Sequence, residues 1–347
     1  MTDLVLIING QQYSGWKSIS LVKSMEAVAD TFELGITDIH DDTFKPIKAG
    51  SPCEIRFDDE LLLTGYIDDT NPTYDGGARG VTVAGRSKTG DLVDCSLPIT
   101  EKEKNEFKNK TFMEVAQILV KPFGIEVTTD IDSFDNSIRV QRYEAGQTVY
   151  EYLVEQARLH AVRLVCDEDG DLRITRAGKE RIATPLVLGE NILSAEGSFS
   201  MRDRFSHYHT IGQQQGWEEN NGEASAHISG LSEDVAMRYR PTVLDVDNVT
   251  GKEKIQRYAE WQRNVSYGRS RAVHYTVNGW AHEDDLWRTN RLVKVIDGYM
   301  GIIEQWLMIR DINFALDEKG QRSTLTLVPP EGLGLIALPS EDQESLW

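Results

Sequence analysis

Basic side chains are outnumbered by acidic ones in this sequence. Its 347 residues include 37 lysines and arginines against 56 aspartates and glutamates, which leaves a formal net charge of −19 at pH 7. A protein that binds duplex nucleic acid neutralises phosphates with a basic face, and adhesion to anionic lipid needs the same sign of charge. The balance therefore argues against both classes of partner and predicts no direct membrane binding.

Cysteines and long apolar runs are also scarce. Cys53, Cys95 and Cys166 are odd in number and far apart, which is typical of free thiols rather than of a disulfide framework. No apolar stretch approaches the roughly 18–20 residues of a membrane-spanning helix. The run from Leu4 to Ile8 has neither a basic flank nor a small-residue cleavage site, so we expect no targeting segment and synthesis in the cytoplasm.

Signatures of catalysis are weak. Ser14-Gly15-Trp16-Lys17 and Ser20-Leu21-Val22-Lys23 match S-x-x-K, and Lys88-Thr89-Gly90 matches K-T-G, as in penicillin-recognising serine enzymes. That mechanism needs the serine at the start of a helix, whereas the surrounding pattern is that of strands. Adjacent acids such as Asp58-Asp59 are typical of solvated turns, because a glycosidase holds its two carboxyls across a cleft. We predict no enzyme activity and no catalytic residue.

Candidate metal ligands are equally sparse. His207-Tyr208-His209 places two imidazoles on one face of a strand, but no third ligand is evident, so a solvated face or a subunit contact is favoured. The segment from Asp130 to Asp135 begins like a calcium loop, yet Phe134 stands where an oxygen ligand belongs. No phosphate loop or dinucleotide fingerprint is present. The sequence therefore predicts no cofactor and no metal site.

The chain does have enough apolar sequence for a folded core. Hydrophobic residues make up 40% and charged residues 27%, and the length predicts two or three domains. Short alternating segments with turn signals predict a β-sandwich or barrel over residues 1–98. Residues 99–182 change to the pattern of a small α+β module with two helices and a hairpin. Residues 183–330 are expected to be β again, and residues 331–347 to be a tail.

Three capping boxes mark expected helix starts. They are Thr111-Phe112-Met113-Glu114, Thr148-Val149-Tyr150-Glu151 and Thr250-Gly251-Lys252-Glu253, each with a threonine followed three residues later by a glutamate. The third box opens a long amphipathic helix near 250–266. An Asp-Gly turn between two apolar segments predicts a hairpin over 163–175.

Two segments and one group of residues complete the pattern. Residues 24–29 fit either a helical turn or a strand, and residues 213–234, rich in Gly, Glu, Asn and Ser, predict an exposed loop. Aromatic residues, which are common in cores and enriched at protein contacts, crowd the last third of the chain. The five most prominent are Trp280, Trp287, Tyr299, Trp306 and Trp347. These features are typical of an assembly protein rather than of a catalyst.

A short pattern occurs in both β regions. Ile67-x-Asp69-x-Asn71, followed by Asp75, recurs at a constant offset as Ile309-x-Asp311-x-Asn313, followed by Asp317. A Gly-x-Arg match (Gly77 and Arg79; Gly320 and Arg322) and alternating strands (Val81-Thr82-Val83; Leu325-Thr326-Leu327) follow each copy. Turn residues are common everywhere, so duplication of one β unit and chance similarity both remain open at this point.

Longer segments resemble a known family. The run from Gly85 to Ser96, the stretch from Gly146 to Leu153 and the block from Trp287 to Pro330 resemble the central hub protein of Mu-like phage baseplates, a 43 kDa-type tail protein. The middle stretch is more loosely similar to the hub part of type VI secretion spikes. The resemblance covers nearly the whole chain and transfers no catalytic residue.

The resemblance implies a mainly β protein with an α+β insert. Two similar, tail-tube-like β-barrel domains (1–98 and 183–330) and the α+β module (99–182) would form each subunit of a ring-shaped homotrimer. Two equivalent surfaces on each chain would let three chains match a sixfold partner. The implied role is a pseudo-sixfold adaptor between a hexameric tail tube protein and a trimeric central spike protein. Baseplate wedge proteins would be further partners, in a virion tail baseplate assembled in the bacterial host cytoplasm.

Two alternatives and one charge hypothesis stay open. One alternative is a tail-tip protein that degrades cell wall, against which stand the missing catalytic motifs and the lack of a separable catalytic segment. The other is a carbohydrate-binding β protein of a receptor-recognition device. In a hub, an acidic channel wall would let DNA pass as cargo without sticking. Asp58, Asp59 and Asp297 are the candidate lumen acids.

Overall fold

The computed structural model describes residues 4–37, 47–76, 79–97, 106–132, 137–213, 227–246, 251–283 and 285–334. Within these ranges the chain is mainly β, with a few α-helices. The strands of the first region are β1 (Leu4–Ile8), β2 (Gln11–Tyr13), β3 (Ser18–Ser24), β4 (Thr31–Thr37), β5 (Pro52–Phe57), β6 (Glu60–Tyr74) and β7 (Arg79–Ser87). The middle region contains α1 (Gly90–Asp94), β8 (Glu106–Thr111), α2 (Phe112–Val120), a 3-10 turn (Lys121–Phe123), β9 (Val127–Thr129), β10 (Ser137–Arg142), α3 (Val149–His160), β11 (Arg163–Cys166) and β12 (Leu172–Thr175).

The last region is longer. Its elements are β13 (Leu186–Val187), β14 (Ile192–Phe199), β15 (His207–Gln213), β16 (His227–Glu233), β17 (Pro241–Val246), α4 (Lys252–Arg269), β18 (Arg271–Asn278), β19 (Ala281–His282), β20 (Asp285–Leu286), β21 (Leu292–Asp297), β22 (Ile302–Asp317), β23 (Gly320–Val328) and a 3-10 turn (Pro330–Leu333).

One large sheet joins the two ends of the chain. It has 13 strands, seven from the first region (β1–β7, the first unit) and six from the last (β13, β14, β18 and β21–β23, the second unit). Within the described residues neither unit closes into a barrel, which corrects the expectation of two β-barrels. The physical reason is the length of β22, which extends beyond β21 and pairs its second half with β3.

The two units share one strand order. The order β3-β4-β7-β6-β5 in the first unit corresponds to β14-β18-β23-β22-β21 in the second, and all these neighbours are antiparallel. The hairpins β6–β7 and β22–β23 are equivalent in this order. Each has a register shift at the same place, between Ile67 and Asp69 in the first and between Ile309 and Asp311 in the second. A bulge at an equivalent position is a specific feature of a strand pair, so the units are copies of one architecture.

The register of these hairpins corrects part of the predicted repeat. Asp69 pairs with Ala84 and Asp311 with Thr326, which makes Ala84 and Thr326 equivalent. The counterpart of the strand 81–83 is therefore 323–325 rather than 325–327, and the counterpart of Arg79 is Gln321 rather than Arg322. Gly77 lies outside the described residues. Similar short motifs occur at neighbouring positions of one strand. The sequence match between the two repeats was therefore displaced by two residues for the strand and by one residue for the arginine.

The core of the large sheet is continuous across both units. Alternating residues of each strand point inward, and Leu21, Ile55 and Val83 of the first unit share one apolar cluster with Val295 and Leu325 of the second. Residues on the opposite face alternate with them and are mostly polar, as Glu33 is between Phe32 and Leu34, with Val5, Ile7 and Val22 as apolar exceptions. The sheet thus has one face in the core and one polar face.

The middle module has a separate core. Phe112 and Val115 of α2 pack with Tyr152 and Leu153 of α3 and with Leu172 of β12. Both predicted capping boxes are formed, with the threonine side chain accepting from the glutamate N–H and the glutamate accepting from the threonine N–H. The hairpin β11–β12 is also present as predicted, and β9 adds to β12 in parallel.

The remaining predictions meet mixed outcomes. The long helix is confirmed as α4, although Thr250 of its predicted capping box lies outside the described residues and Gly251 is the N-cap. The prediction of a loop over 213–234 is wrong for the second half of that segment. There β16 pairs with β15 in a small sheet that also contains β17. Residues 25–30 form bends after β3. All three cysteines are free.

The first residues of the expected tail, 331–334, pack on the fold. The 3-10 turn Pro330–Leu333 packs on α4, where the Gly332 backbone lies so near Gly268 that a Cβ on Gly268 would stand 2.5 Å from the Gly332 Cα. Asn264 donates to the Gly334 carbonyl at 2.8 Å in the same contact. Two glycines allow this approach because any side chain would separate the two backbones. Residues 335–347 lie outside the described part of the chain.

Gly268→Ala tests this contact. We expect it to lower the free energy of unfolding by roughly 1–3 kcal/mol, because the added methyl group overlaps backbone that cannot rotate away. The matched control is Gly298→Ala, whose Cβ would meet nothing within 4 Å and which should change stability by less than about 0.5 kcal/mol. Thermal unfolding at one protein concentration compares the two, and equal midpoints would contradict the close packing.

Candidate assembly surfaces and the junction behind them

Ser20 and Lys23 of the second serine–lysine motif do not form a catalytic pair. Ser20 and Lys23 lie on β3, three residues apart, so their side chains point to opposite faces of the sheet. The Ser20 hydroxyl donates to Asn313 at 3.2 Å, while Lys23 is buried and donates to the Leu62 carbonyl at 3.0 Å. Thr89 of the K-T-G match donates to the Val28 carbonyl at 2.6 Å, which is a structural bond.

The metal candidates are not brought together either. His207 and His209 lie on β15 with their rings stacked at 6.1 Å between centroids, and the His207 Nδ1 lies 2.8 Å from the Ser206 hydroxyl. Asp130 accepts a hydrogen bond from Thr175 at 2.7 Å, and residues 133–136 of the calcium-loop match lie outside the described residues. Across the described ranges, no three His, Cys, Asp or Glu side chains are placed to hold a metal ion.

A buried ionic junction connects both units and the middle module. Lys23 of the first unit lies 3.5 Å from Asp30 and 3.2 Å from Glu168, which belongs to the β11–β12 turn. Arg288 of the last region lies 3.8 Å from Glu168 and also pairs with Glu60 at the start of β6. Side chains from three parts of the chain therefore neutralise one another in one place.

Burial and the neighbouring charges oppose each other at this junction, and the outcome differs between its groups. It raises the pKa of the Asp30 carboxyl to about 6, against the lowering effect of the Lys23 charge. Burial lowers the pKa of Lys23, but the charges of Asp30 and Glu168 outweigh it and raise the pKa overall. Burial likewise opposes ionisation of Glu168, yet Lys23 outweighs it and keeps the pKa of Glu168 below its usual value. Lys23 and Glu168 are therefore stabilised in their charged forms, whereas the buried Asp30 carboxyl is the more easily protonated of the two acids beside Lys23.

A second ionic cluster surrounds Glu26, just beyond β3. Its carboxylate lies 3.8 Å from Arg163 of the middle module, 3.3 Å from Arg269 of α4 and 3.6 Å from Arg310 of β22. Arg163 is buried and also donates to the Gly332 carbonyl at 2.9 Å. One carboxylate thus holds three arginines from three elements.

Sequence reasoning missed both clusters, although one signal was available. On β3 the buried positions alternate as 19, 21 and 23, so Lys23 occupies an inward position after Ile19 and Leu21. A lysine on the apolar side of a strand requires a buried partner. Its partners, Asp30 and Glu168, are identified only by the tertiary structure.

Two strand edges carry exposed residues and have no partner within the described residues. Strand β6 pairs with β5 only as far as Tyr66, so residues 69–74 have a described neighbour on the β7 side alone. Strand β14 pairs with β18 and with no other described strand. Tyr74 is 87% exposed at one edge, and Leu193 is 58% exposed at the other. Such edges are templates for pairing with another chain.

The aromatic residues divide between core and surface. Trp280 and Trp287 are buried in the large core, and Trp306 stacks with the Arg181 guanidinium at 4.6 Å. Tyr299 is 82% exposed at the turn that precedes β22. Trp347 lies outside the described residues. The aromatic crowding predicted from sequence is thus mostly core packing, with Tyr299 at the surface.

The three candidate lumen acids are not on a common surface. Asp297 is buried, and its carboxylate accepts from the Tyr275 hydroxyl at 3.1 Å and from the backbone N–H groups of Tyr299 and Met300. Asp58 and Asp59 form the turn between β5 and β6 with positive φ angles, so they lie at the end of the sheet rather than on its face. The polar face instead presents Glu33, Glu54 and Glu196.

No helix in the described ranges is long and apolar enough to cross a membrane.

Comparison with known proteins gives matches along most of the chain. Residues 3–87 match the N-terminal domain of Mu phage baseplate assembly protein GpP-like, and residues 250–335 match the fourth domain of the Mu phage baseplate assembly protein GpP. Residues 89–176 match the second domain of baseplate hub protein gp44-like. These matches define a structural component of a phage tail baseplate.

A full-length relative identifies the family. Baseplate hub protein gp44 of Escherichia phage Mu is 30% identical over 339 residues, which cover 95% of this chain and 88% of that protein. The chain therefore belongs to the family of Mu-like phage baseplate hub proteins. The resemblance seen in the sequence is confirmed.

Solved structures have the same fold. The 43 kDa tail protein of prophage MuSo2 from Shewanella oneidensis is 34% identical with a TM-score of 0.84, over 95% of this chain and 99% of that one. A tail protein from Neisseria meningitidis MC58 is 22% identical with a TM-score of 0.80, over 96% and 98% of the two chains. The E. coli c3393 protein, a component of the type VI secretion system, shares the fold at 11% identity and a TM-score of 0.61, over 96% of this chain and 79% of that one.

Lys23→Met tests the ionic junction. We expect it to lower the free energy of unfolding by about 3–5 kcal/mol, because it leaves the buried Asp30 carboxylate without its cation. Lys294→Met is the matched control, since it removes a lysine from a more exposed pair with Glu304 and should cost less than about 1 kcal/mol. Denaturant titration of both variants measures the difference.

The deficit of K23M should also depend on pH. The folded pKa of Asp30, about 6, lies above the unfolded value of about 3.9, so its proton contributes stability below about pH 4 that is lost as the pH rises through about 6. Without Lys23 the folded pKa rises further. K23M should therefore lose more stability relative to the wild type at about pH 7.5 than at about pH 5. The same deficit at both values would refute the pairing.

Proposed function

We propose that the protein is a non-enzymatic hub that assembles as a ring-shaped homotrimer in the tail baseplate. It joins a hexameric tail tube protein to a trimeric central spike protein, with baseplate wedge proteins as further neighbours. The observation that carries this proposal is the equivalence of the two units, which have the same strand order and the same bulge. Three chains with two equivalent units each present six similar surfaces.

The two units and the middle module have separate cores, and we assign them separate roles. The first unit and the second unit, predicted as domains 1–98 and 183–330, form the ring through their shared sheet. The middle module, predicted over 99–182, has its own core and leaves the ring strands free, so it contacts baseplate proteins beside the ring. Assembly takes place in the bacterial host cytoplasm, and the C-terminal segment 331–347 docks through its first residues on α4.

Solution mass tests the trimer. The chain weighs 39.1 kDa, so the proposal predicts a particle of about 117 kDa, three times the chain mass, by sedimentation or light scattering of the full chain. A concentration series across the micromolar range separates a stable trimer from weak association. A particle that stays at the mass of one chain, or that stops at two, would contradict the hub role.

The polar face of the sheet is the proposed channel wall. The opposite face is filled by the apolar core, so only the polar face can border an aqueous opening. Glu33 and Glu54 lie between buried neighbours on β4 and β5 and therefore point to the polar face. Carboxylates on the wall repel DNA phosphates, which allows DNA to pass as cargo without binding.

Charge reversal tests the channel wall. The double variant Glu33→Lys/Glu54→Lys should bind short duplex DNA at least about tenfold more tightly than the wild type at low salt, with a steep loss of affinity as salt is added. The control Glu126→Lys/Asp132→Lys makes the same change of net charge at exposed positions of the middle module. Equal DNA affinity of the two variants in an anisotropy titration would place Glu33 and Glu54 away from the channel.

A further inference from the structure

One pairing of two strands inside the chain, that of β22 with β3, joins the two units. Each of these two strands has a counterpart in the other unit, and the corresponding edges of those counterparts have no partner within the described residues. Residues 311–316 of β22 pair antiparallel with β3, from Asp311 opposite Ser24 to Leu316 opposite Ile19. We call this pairing the inner seam. It joins the second unit to the first and makes the sheet continuous.

The counterpart of the β22 half is the free edge of β6. Because the bulges at Asp68 and Arg310 are equivalent, residues 69–74 of β6 correspond to residues 311–316 of β22. Asp69, Asn71 and Tyr74 are exposed, whereas Leu316, the counterpart of Tyr74, packs against the core beside β3. A second β3-like strand is therefore what this edge lacks, and Pro72, at the position of Phe314, offers such a strand a carbonyl but no N–H group.

The counterpart of the β3 half is β14. Ser20 pairs with Glu33, which pairs with Ala84, and in the second unit Glu196 pairs with His274, which pairs with Thr326. Since Ala84 and Thr326 are equivalent, so are Ser20 and Glu196. By the same register Ser24 corresponds to Ser200, and Ile19 to Ala195.

The local chemistry of the seam is repeated as well. At the inner seam the Ser24 hydroxyl accepts from the Glu26 N–H at 3.0 Å and donates to the Asp311 carboxylate at 2.6 Å. The Ser200 hydroxyl likewise accepts from the N–H two residues later, that of Arg202, at 3.3 Å. The counterpart of Asp311 is Asp69, so both members of the serine–carboxylate pair recur, Ser200 on one edge and Asp69 on the other.

We propose that β6 of one subunit pairs antiparallel with β14 of the next, in the register of the inner seam. This pairing rests on the proposed trimer and specifies its interface. Asp69 lies opposite Ser200, Asn71 opposite Ser198 and Thr73 opposite Glu196. The two edges belong to different surfaces, so the contact is heterologous and closes a ring when three chains are joined. Three inner seams and three such contacts then alternate around the ring.

Backbone direction identifies the best pair for a covalent test. The Ile67 N–H and carbonyl bond to Ser51 and Gly50, away from β7, and the extra residue at the Asp68 bulge shifts the alternation after it, so the backbone groups of Thr73 point toward β7. Thr73 and Glu196 therefore form a non-hydrogen-bonded pair, in which Cα atoms stand about 4.5 Å apart and side chains approach closely. Two cysteines at this spacing can form a disulfide.

The test is oxidative crosslinking of the full-length Thr73→Cys/Glu196→Cys variant. We expect covalent dimers and trimers on a non-reducing gel, because every chain carries both halves. A mixture of the two single variants should give dimers only. Asp69→Cys/Glu196→Cys is the mismatched control, since its cysteines are four residues out of register, about 13 Å along the strand, and should not crosslink. Ser20→Cys/Ala315→Cys should crosslink within one chain and reports on the inner seam.

The outcomes separate this pairing from the proposed function. A trimer by mass in which T73C/E196C stays uncrosslinked, or crosslinks no better than D69C/E196C, would overturn the register while the hub role stands. A chain that remains a monomer at all concentrations would overturn both. Crosslinks that stop at dimers in the double variant would show a two-fold contact and would also overturn the ring.

Discussion

The structure depends on one long strand that pairs with two others along the same edge. Strand β22 has 16 residues, and its first half pairs with β21 while its second half pairs with β3 from the opposite end of the chain. A strand edge with unsatisfied N–H and carbonyl groups must be paired or shielded. The pairing with β3 satisfies it and joins two similar units into one sheet. Lys23 of β3 forms ion pairs with Asp30 and with Glu168, and the pair with Glu168 connects the middle module to the strand that β22 joins.

Local structure was largely predictable from the sequence. The capping boxes at Thr111 and Thr148, the hairpin over 163–175 and the strand patterns of β6 and β7 need only neighbouring residues, and each is confirmed. The repeat was visible through Ile67, Asp69 and Asn71 because a bulge constrains residues at fixed positions. Its second half was misplaced, since alternating strands look alike after a slip of two residues.

Long-range pairing was not predictable in the same way. Whether each β region closes on itself or joins the other depends on which strand occupies the edge beyond β21, and no local pattern encodes that choice. The partners of Lys23 come from segments far apart in sequence, so only the inward position of this lysine was a signal. Which acidic residues face the polar side of the sheet was not predictable either. Asp297 is a buried turn acceptor, whereas Glu33 and Glu54 lie on the polar face of the sheet.

The central claim is that the two units are interchangeable neighbours in a closed ring. Electron cryo-microscopy of the assembled full chain tests it most directly. The account predicts exact threefold symmetry with sixfold pseudo-symmetry at low resolution, and one continuous sheet in which β6 of each subunit lies beside β14 of the next. A ring in which these two edges lie apart, or a particle with twofold symmetry, would contradict it.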